Sequence, residues 1–352
     1  MKPLVLGGTG FLGLHVVRAL RARGHEVRAT RRRSSNTIFL RKVRGLDVVE
    51  ATLEDPPSLR RAMEGRDVVF FAAAPYPRTS LDTATQVSRA RAATRAVCDA
   101  ALETGVERLV FTSSVATVGR PADPRTLATE SHLLTRPPRG STYHAVKLAE
   151  EEEVLAAVRR GLPAVVLCPT GCVGPLDVKA GTGFFLVALG NRSLPFWVDG
   201  RVNIVDVEAV AEAHVEAAAR GRVGERYILG GVNTTIGNLL ETAARRLEVP
   251  MPRLRLPIPV AWVVSTLAEI RAARGAGRTK ARVAREFVDL ARLGFHADSS
   301  KAGAALGLAR TDLPRTLDAA CEWFLRNRYI QPRRAPCKTS EPRTSSASST
   351  RS

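Results

Sequence analysis

The first residues of the chain constrain its fold more than any other segment. The apolar stretch Leu4–Leu6 leads directly into the glycine-rich turn Gly7-Gly8-Thr9-Gly10-Phe11-Leu12-Gly13. Gly7 permits a tight turn, Gly10 lets an anion approach the backbone, and Gly13 lets a following helix pack closely on the strand. The free amides at the start of that helix carry partial positive charge, so the pattern predicts a site for a dinucleotide pyrophosphate.

A glycine turn alone is weak support for a ligand, and its surroundings decide the interpretation. Apolar residues at helical spacing predict a helix over Leu12–Arg23. Gly24 is placed to end that helix, and a second strand is predicted over Glu26–Thr30. Strand, glycine turn, helix and strand is the context in which such a turn binds a dinucleotide.

Composition narrows the class of protein. The chain has 352 residues, of which 45% are apolar, enough for one large or two modest domains. No uncharged apolar run of about 20 residues occurs, so no membrane span is expected. The best apolar stretch, Pro257–Ile270, predicts a buried or substrate-covering helix. The net charge of +19 comes from arginine spread along the chain without a nucleic-acid-binding motif, so nucleic acid is not an expected partner.

The cysteines suggest reduced thiols and no metal site. An odd number of cysteines without an export signal is typical of a reducing compartment, so a cytoplasmic protein is expected. No cysteine is paired with a histidine at a spacing typical of a metal site. The five cysteines are Cys98, Cys168, Cys172, Cys321 and Cys337.

Alternation of strands and helices predicts a parallel, doubly wound α/β sheet. The segment Arg226–Leu229 is predicted to be a later strand that rejoins this sheet. The other predicted strands are Asp47–Glu50, Asp67–Ala72, Arg108–Thr112 and Ala164–Cys168, and the intervening helices are Pro57–Met63, Asp82–Thr104 and Tyr143–Arg160.

We expect a dinucleotide-binding domain over residues 1–170 and a mainly substrate-binding part over 171–330. Residues 331–352 form a Ser/Thr-rich tail without apolar periodicity, and this tail is expected to be disordered. The stretch Gly171–Asn203 interrupts the strand–helix rhythm and predicts a substrate-facing insertion. Its apolar residues could line a pocket or form core: Phe184, Phe185, Leu186, Phe196 and Trp197. Helices are predicted near Asp206–Arg220, Ile236–Leu247 and Leu313–Arg328.

Three residues form a second chemical pattern. Tyr143 and Lys147 are four residues apart on a predicted helix and therefore share one face. Ser114 follows the strand Arg108–Thr112, at the sheet edge where ligands bind. A tyrosine hydroxyl has an ordinary pKa of about 10, but an ammonium and a cationic nicotinamide beside it lower that pKa toward neutrality. Tyr143 can then act as acid and base, while Ser114 orients a substrate oxygen and Lys147 holds the nicotinamide ribose.

Taken together, these motifs resemble the extended short-chain dehydrogenase/reductase family over about residues 2–329. The resemblance implies a Rossmann-type doubly wound sheet with a smaller C-terminal substrate-binding domain. Thr112–Gly119 and Gly224–Gly231 are most similar to the dihydroflavonol reductase branch and to hopanoid-associated sugar epimerase-like proteins. The motifs that carry the resemblance are Gly7–Gly13, Phe111-Thr-Ser-Ser114, Tyr143-His-Ala-Val-Lys147 and Pro169-Thr-Gly-Cys-Val-Gly-Pro175.

The resemblance assigns roles residue by residue. Tyr143 matches the family's catalytic acid/base, Lys147 its partner and Ser114 the substrate-orienting hydroxyl, with Ser113 as the alternative for that last role. The expected cofactor-binding set is Gly7, Gly10, Phe11, Leu12, Gly13, Arg31, Arg32, Leu53, Ala72, Tyr143, Lys147, Pro169 and Thr170.

The chain also departs from the family. Ala51-Thr52-Leu53 replaces a common Gly-Asp-Leu segment, which weakens the expected adenine contacts. Phe71 stands where a histidine is common, and Ala90 stands where an asparagine often supports a proton relay.

The end of the second strand indicates the cofactor. Forms that bind NAD usually place a carboxylate there for the ribose 2′-hydroxyl, whereas this chain continues from Thr30 into Arg31-Arg32-Arg33. A guanidinium can pair with a 2′-phosphate and stack on adenine. We therefore expect NADP(H) rather than NAD(H), with Arg32 as the first candidate ligand and Arg31 as the second.

Three functions are compatible with these motifs. The first is an NADPH-dependent carbonyl reductase, or the reverse alcohol dehydrogenase. The second is a sugar-nucleotide epimerase or dehydratase that retains NAD and needs a basic pocket, to which Arg192 and Arg201 could contribute. The third, a nucleotide-sensing regulator, fits less well because regulators of that kind tend to lose the Tyr/Lys pair. The partner is expected to be a small-molecule substrate, and the resemblance allows a homodimer built on helices Asp82–Thr104 and Tyr143–Arg160.

Overall fold

A seven-stranded parallel sheet lies at the centre of the computed structural model, which describes residues 1–74, 82–123, 125–274 and 285–331. Its strands are β1 (Pro3–Leu6), β2 (Arg28–Arg31), β3 (Asp47–Glu50), β4 (Val68–Phe71), β5 (Arg108–Thr112), β6 (Ala164–Pro169) and β9 (Arg226–Leu229). The strand order is β3-β2-β1-β4-β5-β6-β9, and neighbouring strands run parallel throughout.

Helices cover both faces of this sheet. The side chains of its central strands are apolar on both faces, so each face must be shielded from water. All the residues of β1, β4 and β6 are buried, as expected for parallel strands enclosed by helices. One face packs on α1 (Phe11–Ala22) and α6 (Val207–Arg220), and the other on α2 (Pro56–Met63), α3 (Thr83–Glu103) and α4 (Thr142–Arg159). The doubly wound α/β fold predicted from the sequence is confirmed.

The later part of the chain adds a second, three-stranded sheet in the order β10-β8-β7. Its strands are β7 (Gly171–Val173), β8 (Arg201–Asp206) and β10 (Val232–Thr235), and only the β8–β10 pair is antiparallel. Because β9 pairs with β6 of the main sheet, the chain crosses between the two sheets and back. The remaining helices are α5 (Phe184–Gly190), α7 (Ile236–Arg246), α8 (Ile258–Arg274), α9 (Arg285–Leu293), α10 (Ser300–Leu306) and α11 (Leu313–Arg326).

The stretch expected to be a buried or substrate-covering helix, Pro257–Ile270, forms most of α8. The expectation of burial is wrong for one side of that helix, because Val263 and Leu267 are exposed. In the part of the chain that the structure describes, no helix is long and apolar enough to span a bilayer. The expected disordered tail lies, apart from Gln331, outside the described residues.

A buried histidine joins α6 to the sheet. The Nδ1 atom of His214 lies 2.8 Å from the Val210 carbonyl oxygen, so Nδ1 carries the proton and donates. Its Nε2 atom therefore accepts from the Thr112 hydroxyl at the end of β5, at 2.9 Å. Burial lowers the pKa of His214 to about 4, and the ring is neutral in the folded protein at neutral pH.

This neutral histidine makes stability depend on pH. Since the folded pKa is below the unfolded value, the stabilisation is full above the unfolded pKa and is lost as the pH falls towards 4. We expect His214 alone to remove on the order of 2 kcal/mol from the free energy of unfolding between about pH 6.5 and pH 5. Urea unfolding at both pH values should show a smaller loss for His214→Leu than for the unsubstituted chain. An equal loss would show that His214 does not titrate in this way.

Candidate functional site

The turn after β1 forms a cradle of backbone amides. Gly7 has a φ of +87°, and its carbonyl accepts from the Gly10 amide at 2.8 Å. No side chain caps α1, and none of the described residues accepts from the amides of Phe11, Leu12 and Gly13. These amides at the helix N-terminus are suited to bind the pyrophosphate of a dinucleotide.

Close packing behind the cradle depends on Gly13. A Cβ added to Gly13 would lie 2.3 Å from the Gly7 carbonyl oxygen, far inside van der Waals contact. By contrast, a Cβ on Gly10 would meet only the Gly7 oxygen, at 3.2 Å, so Gly10 leaves room on the outer side of the turn. The residues present therefore fit the pyrophosphate of a bound dinucleotide, the group that the glycine motif predicts.

The two candidate arginines for a 2′-phosphate differ in their surroundings. The Nη2 atom of Arg31 lies 3.5 Å from the Glu50 carboxylate of β3. Arg32 is exposed, and its guanidinium has no hydrogen-bond or ion-pair partner among the described residues. The Arg32 amide donates to the Ser35 hydroxyl at 3.1 Å, and that hydroxyl lies 3.4 Å from the Thr9 hydroxyl in the glycine turn. The turn that carries Arg32 is thus held beside the amide cradle.

A small cavity lies next to Arg31. Its volume is about 220 Å³, and its lining residues are Arg31, Thr37, Leu40, Arg41 and Val48. A larger cavity, of about 490 Å³, shares no residue with the expected site. It lies at the start of α8 and is lined by Asp199, Arg255, Leu256, Pro257, Ile258 and Pro259.

The other expected cofactor residues follow the carboxyl ends of the strands. Ala72 comes directly after β4, and its amide donates to the Leu6 carbonyl of β1 at 3.1 Å. Leu53 follows β3 and is half-buried against the core. Pro169 ends β6, and the next residue, Thr170, donates from its hydroxyl to Asn203 Oδ1 of the second sheet at 2.8 Å. These positions place Leu53, Ala72, Pro169 and Thr170 at one edge of the main sheet.

The structure brings Tyr143 and Ser114 together. The Tyr143 hydroxyl, in the first turn of α4, donates to Ser114 Oγ at 3.1 Å. Ser114 lies two residues after β5, where its Oγ also accepts from the Ala116 amide at 3.2 Å. Ser113, the alternative, points to the buried Glu151 and donates to its carboxylate. Of the two serines, Ser114 is therefore the one whose hydroxyl is seen to accept from the tyrosine.

Lys147 lies one turn along α4 from Tyr143, as its spacing predicts. It is buried, and its Nζ donates to Glu150 Oε2 at 2.9 Å. Burial alone lowers the pKa of Lys147, but the Glu150 carboxylate, Tyr143 and Glu151 outweigh burial and leave the pKa above its usual value. Lys147 is therefore an ammonium on the same helix face as the Tyr143 hydroxyl.

Two glutamates beneath the site were not anticipated. The Glu151 carboxylate accepts from the Thr117 hydroxyl at 2.7 Å and lies 2.8 Å from Arg226 Nε of β9. Both Glu150 and Glu151 are buried, although they belong to a run of four glutamates that would suit a solvated helix surface. The available signal was their spacing: Glu150 is seven residues from Tyr143 and Glu151 is four from Lys147, so both lie on the buried face.

An arginine cluster lies near the start of α4. Burial, followed by repulsion from Arg201 and Arg292, lowers the pKa of Arg120. Burial together with Arg292 and Arg120 lowers the pKa of His144, next to Tyr143, to about 4. The Arg120 Nη2 atom donates to the Gly294 carbonyl at 2.9 Å. Arg201, one of the two basic residues suggested by the sequence, belongs to this cluster, whereas Arg192 is exposed just after α5.

The apolar insertion contributes largely to the core. Leu186 is fully buried, and Phe196 is buried against α8 and α9. Phe184 stacks on Phe287 of α9, with ring centroids 5.3 Å apart, and the Arg255 guanidinium lies over the Trp197 ring. Phe71 similarly packs on Phe111, so the position at which the family resemblance leads us to expect a histidine is core in this chain.

Comparisons with known proteins find relatives that match most of the chain. Residues 3–230 match the family described as the NAD dependent epimerase/dehydratase family. A Synechocystis protein provisionally named dihydroflavonol 4-reductase is 32% identical over 336 residues, covering 93% of this chain and 95% of the relative. Sterol demethylase protein B of Methylococcus capsulatus is 31% identical over 92% of this chain and 98% of that protein.

A solved structure shares the same architecture. The crystal structure of a nucleoside-diphosphate-sugar epimerase from Pseudomonas aeruginosa has a TM-score of 0.79 and 30% identity, covering 94% of this chain and 99% of the other. The Synechocystis relative thus has a reductase name, the Methylococcus relative a sterol demethylase name, and this structural relative an epimerase name.

Proposed function

The chain belongs to the NAD dependent epimerase/dehydratase family and is an NAD(P)-dependent enzyme of the extended short-chain dehydrogenase/reductase type, and on this premise we propose that it is an NADP(H)-dependent oxidoreductase. Its substrate would be a carbonyl compound or the corresponding alcohol. The observation that carries the proposal is the Tyr143–Ser114 hydrogen bond, with the Lys147 ammonium on the same face of α4.

The proposed roles follow from this geometry. The nicotinamide, when bound, supplies or accepts the hydride. In the reductive direction Ser114 donates a hydrogen bond to the substrate carbonyl oxygen and fixes its position. Tyr143 then donates its hydroxyl proton to that oxygen as negative charge develops there. The Lys147 ammonium stabilises the resulting phenolate, and the amides of Phe11, Leu12 and Gly13 hold the pyrophosphate.

Preference for NADP(H) is the second part of the proposal. Arg32 supports it because its exposed guanidinium is unengaged among the described residues, whereas Arg31 already faces Glu50. The second strand also ends without a carboxylate to accept from a ribose 2′-hydroxyl. Arg32 would therefore pair with a 2′-phosphate through charge-assisted hydrogen bonds.

The Arg32→Glu variant tests this preference. We expect its Kd for NADPH to rise about 30-fold or more, because a charge-assisted pair is replaced by like-charge repulsion. Its Kd for NADH should change less than about threefold, since NADH lacks the phosphate. Arg33→Glu, with the same charge change one residue along, is the matched control and should bind both cofactors as the unsubstituted chain does. Equal weakening of NADPH binding in both variants would contradict a specific role for Arg32.

The arginine cluster supports a second candidate function. Arg120, Arg201 and Arg292 lie close enough to depress the pKa of Arg120, and such a cluster would suit the diphosphate of a sugar nucleotide. A sugar-nucleotide epimerase or dehydratase would use the same serine, tyrosine and lysine and regenerate its cofactor in each cycle. Purification with stoichiometric bound NAD, and no net oxidation of added NADPH by a carbonyl panel, would favour this second function.

A homodimer through α3 and α4 is also proposed. The two helices pack side by side and are joined on the surface by Arg95–Glu153 and Arg160–Asp99 ion pairs. Their outer faces could associate with the same faces of a second copy around a two-fold axis. Sedimentation equilibrium would show a dimer that Ala92→Glu, an exposed position on α3, converts to a monomer.

A further inference from the structure

Helix α8 turns an apolar face away from the protein. Four of its exposed residues recur at i, i+3, i+4 and i+7: Val260, Val263, Val264 and Leu267, with exposed fractions of 48%, 51%, 42% and 61%. Leu254, just before the helix, is 51% exposed. Single exposed apolar residues are common, but a continuous stripe along one helix indicates an interaction surface. We call these five residues the outer face of α8.

The opposite side of α8 is held by specific contacts. Ala261 and Ser265 are buried, and Trp262 Nε1 donates to Asp289 on α9 at 3.2 Å. The Arg285 guanidinium lies 4.4 Å from the Trp262 ring centroid and donates to the Gly140 carbonyl, just ahead of α4, at 2.7 Å. These bonds fix the rotation of α8 about its own axis, so the outer face points away from the protein.

Exposed arginines flank this apolar face. Arg253 precedes α8 and Arg271 lies near its end, and both are exposed. Arg255 also precedes α8 and is exposed, and it pairs with Asp199 at 3.3 Å. In the sequence, residues 251–285 contain seven arginines and one lysine but a single acidic residue, Glu269. An apolar stripe with a basic border matches an anionic lipid surface, where side chains enter the headgroup region and guanidinium groups pair with phosphates.

We propose that the outer face of α8 docks the protein on an anionic lipid bilayer, lying in the interface without spanning it. A second copy of the chain is the competing occupant. In a two-fold contact through this face, the arginines of one copy would lie against the same arginines of the second copy. Repulsion between these like charges would oppose the association of the two copies. The bilayer instead neutralises the border while covering the apolar stripe.

Vesicle sedimentation of the full chain tests this proposal. Vesicles of phosphatidylcholine with about one quarter phosphatidylglycerol should bind the protein at least about tenfold more strongly than pure phosphatidylcholine vesicles. Added NaCl at about 0.5 M should remove most of that difference, because it screens the charge attraction. The double variant Val263→Ser/Leu267→Ser should bind anionic vesicles at least about fivefold more weakly, since it loses apolar area without any change in charge.

A matched control separates this surface from general hydrophobicity. Val223 and Leu325 lie outside α8 and are 49% and 40% exposed. The Val223→Ser/Leu325→Ser variant should bind vesicles as the unsubstituted chain does, with thermal melts confirming that both double variants are folded. No binding to anionic vesicles, or equal binding by the two double variants, would overturn the proposal. Lipid-independent self-association that Val263→Ser/Leu267→Ser abolishes would overturn it too, because the face would then belong to a second copy.

Discussion

Tyr143→Phe is expected to lower kcat about 1,000-fold while changing the Kd for NADPH less than about threefold. The substitution removes one hydroxyl, the group that donates to Ser114 Oγ at 3.1 Å and that we assign to proton transfer. The ring itself remains, so the packing of α4 should be preserved. Steady-state oxidation of NADPH with a substrate identified from a carbonyl panel gives kcat, and fluorescence titration gives Kd.

Tyr227→Phe is the control for this substitution. The Tyr227 hydroxyl also makes a hydrogen bond, accepting from the Arg222 amide at 3.1 Å, but it is buried in β9 away from Ser114. Its loss should leave kcat within about twofold, since it touches neither substrate nor cofactor. Retention of more than a tenth of the turnover by Tyr143→Phe would refute the acid/base role.

Gly13→Ala is expected to raise the Kd for either nicotinamide cofactor about 100-fold or more. The new Cβ would lie 2.3 Å from the Gly7 carbonyl oxygen and 2.9 Å from its carbon, so α1 must move away from the turn. That movement takes the amides of Phe11 and Leu12 out of position for the pyrophosphate. Calorimetric titration with NADPH and NADH measures the loss, and thermal unfolding separates it from a general loss of structure.

Gly303→Ala supplies the matched helical control. A Cβ on Gly303, within α10, would meet nothing within 4 Å. Alanine is the better helix former by roughly 1 kcal/mol, so this variant should be slightly more stable and bind cofactor normally. A Gly13→Ala protein that binds NADPH like Gly303→Ala would show that the glycine turn does not hold the cofactor.

Most of the fold could be predicted from patterns among residues that are close in sequence. The strand, turn and helix at the N-terminus depend on neighbouring residues, and β3 and β5 begin and end where apolar runs predicted. The spacing of Tyr143 and Lys147 placed both on one helix face because helical geometry repeats every 3.6 residues. The second sheet escaped prediction because β7 has three residues and β10 is only half-buried, which leaves little periodic signal.

Other features depend on long-range packing that one-dimensional patterns do not contain. Ser113 and Ser114 are adjacent residues of the same type, so the sequence does not distinguish their roles. In the fold, Ser113 donates to Glu151, whereas Ser114 accepts from Tyr143. Arg31 and Arg32 differ because the register of β2 on β3 brings Arg31 opposite Glu50. Spacing could place the two glutamates on the buried face of α4, but their partners, Arg226 of β9 and Lys147, become known only from the fold. The roles of the site residues and the preference for NADP(H) stay predictions.

Transfer of deuterium tests the central claim most directly, namely that this chain moves a hydride between a nicotinamide and a carbonyl carbon with Tyr143 as the proton donor. The substrate found in the carbonyl panel would be reduced with NADPH deuterated at C4 of the nicotinamide, and the product analysed by mass spectrometry. The account predicts one deuterium bound to the new alcohol carbon, and hardly any product with Tyr143→Phe. Product that carries no carbon-bound deuterium from either face of the nicotinamide, or that Tyr143→Phe forms at an undiminished rate, would contradict it.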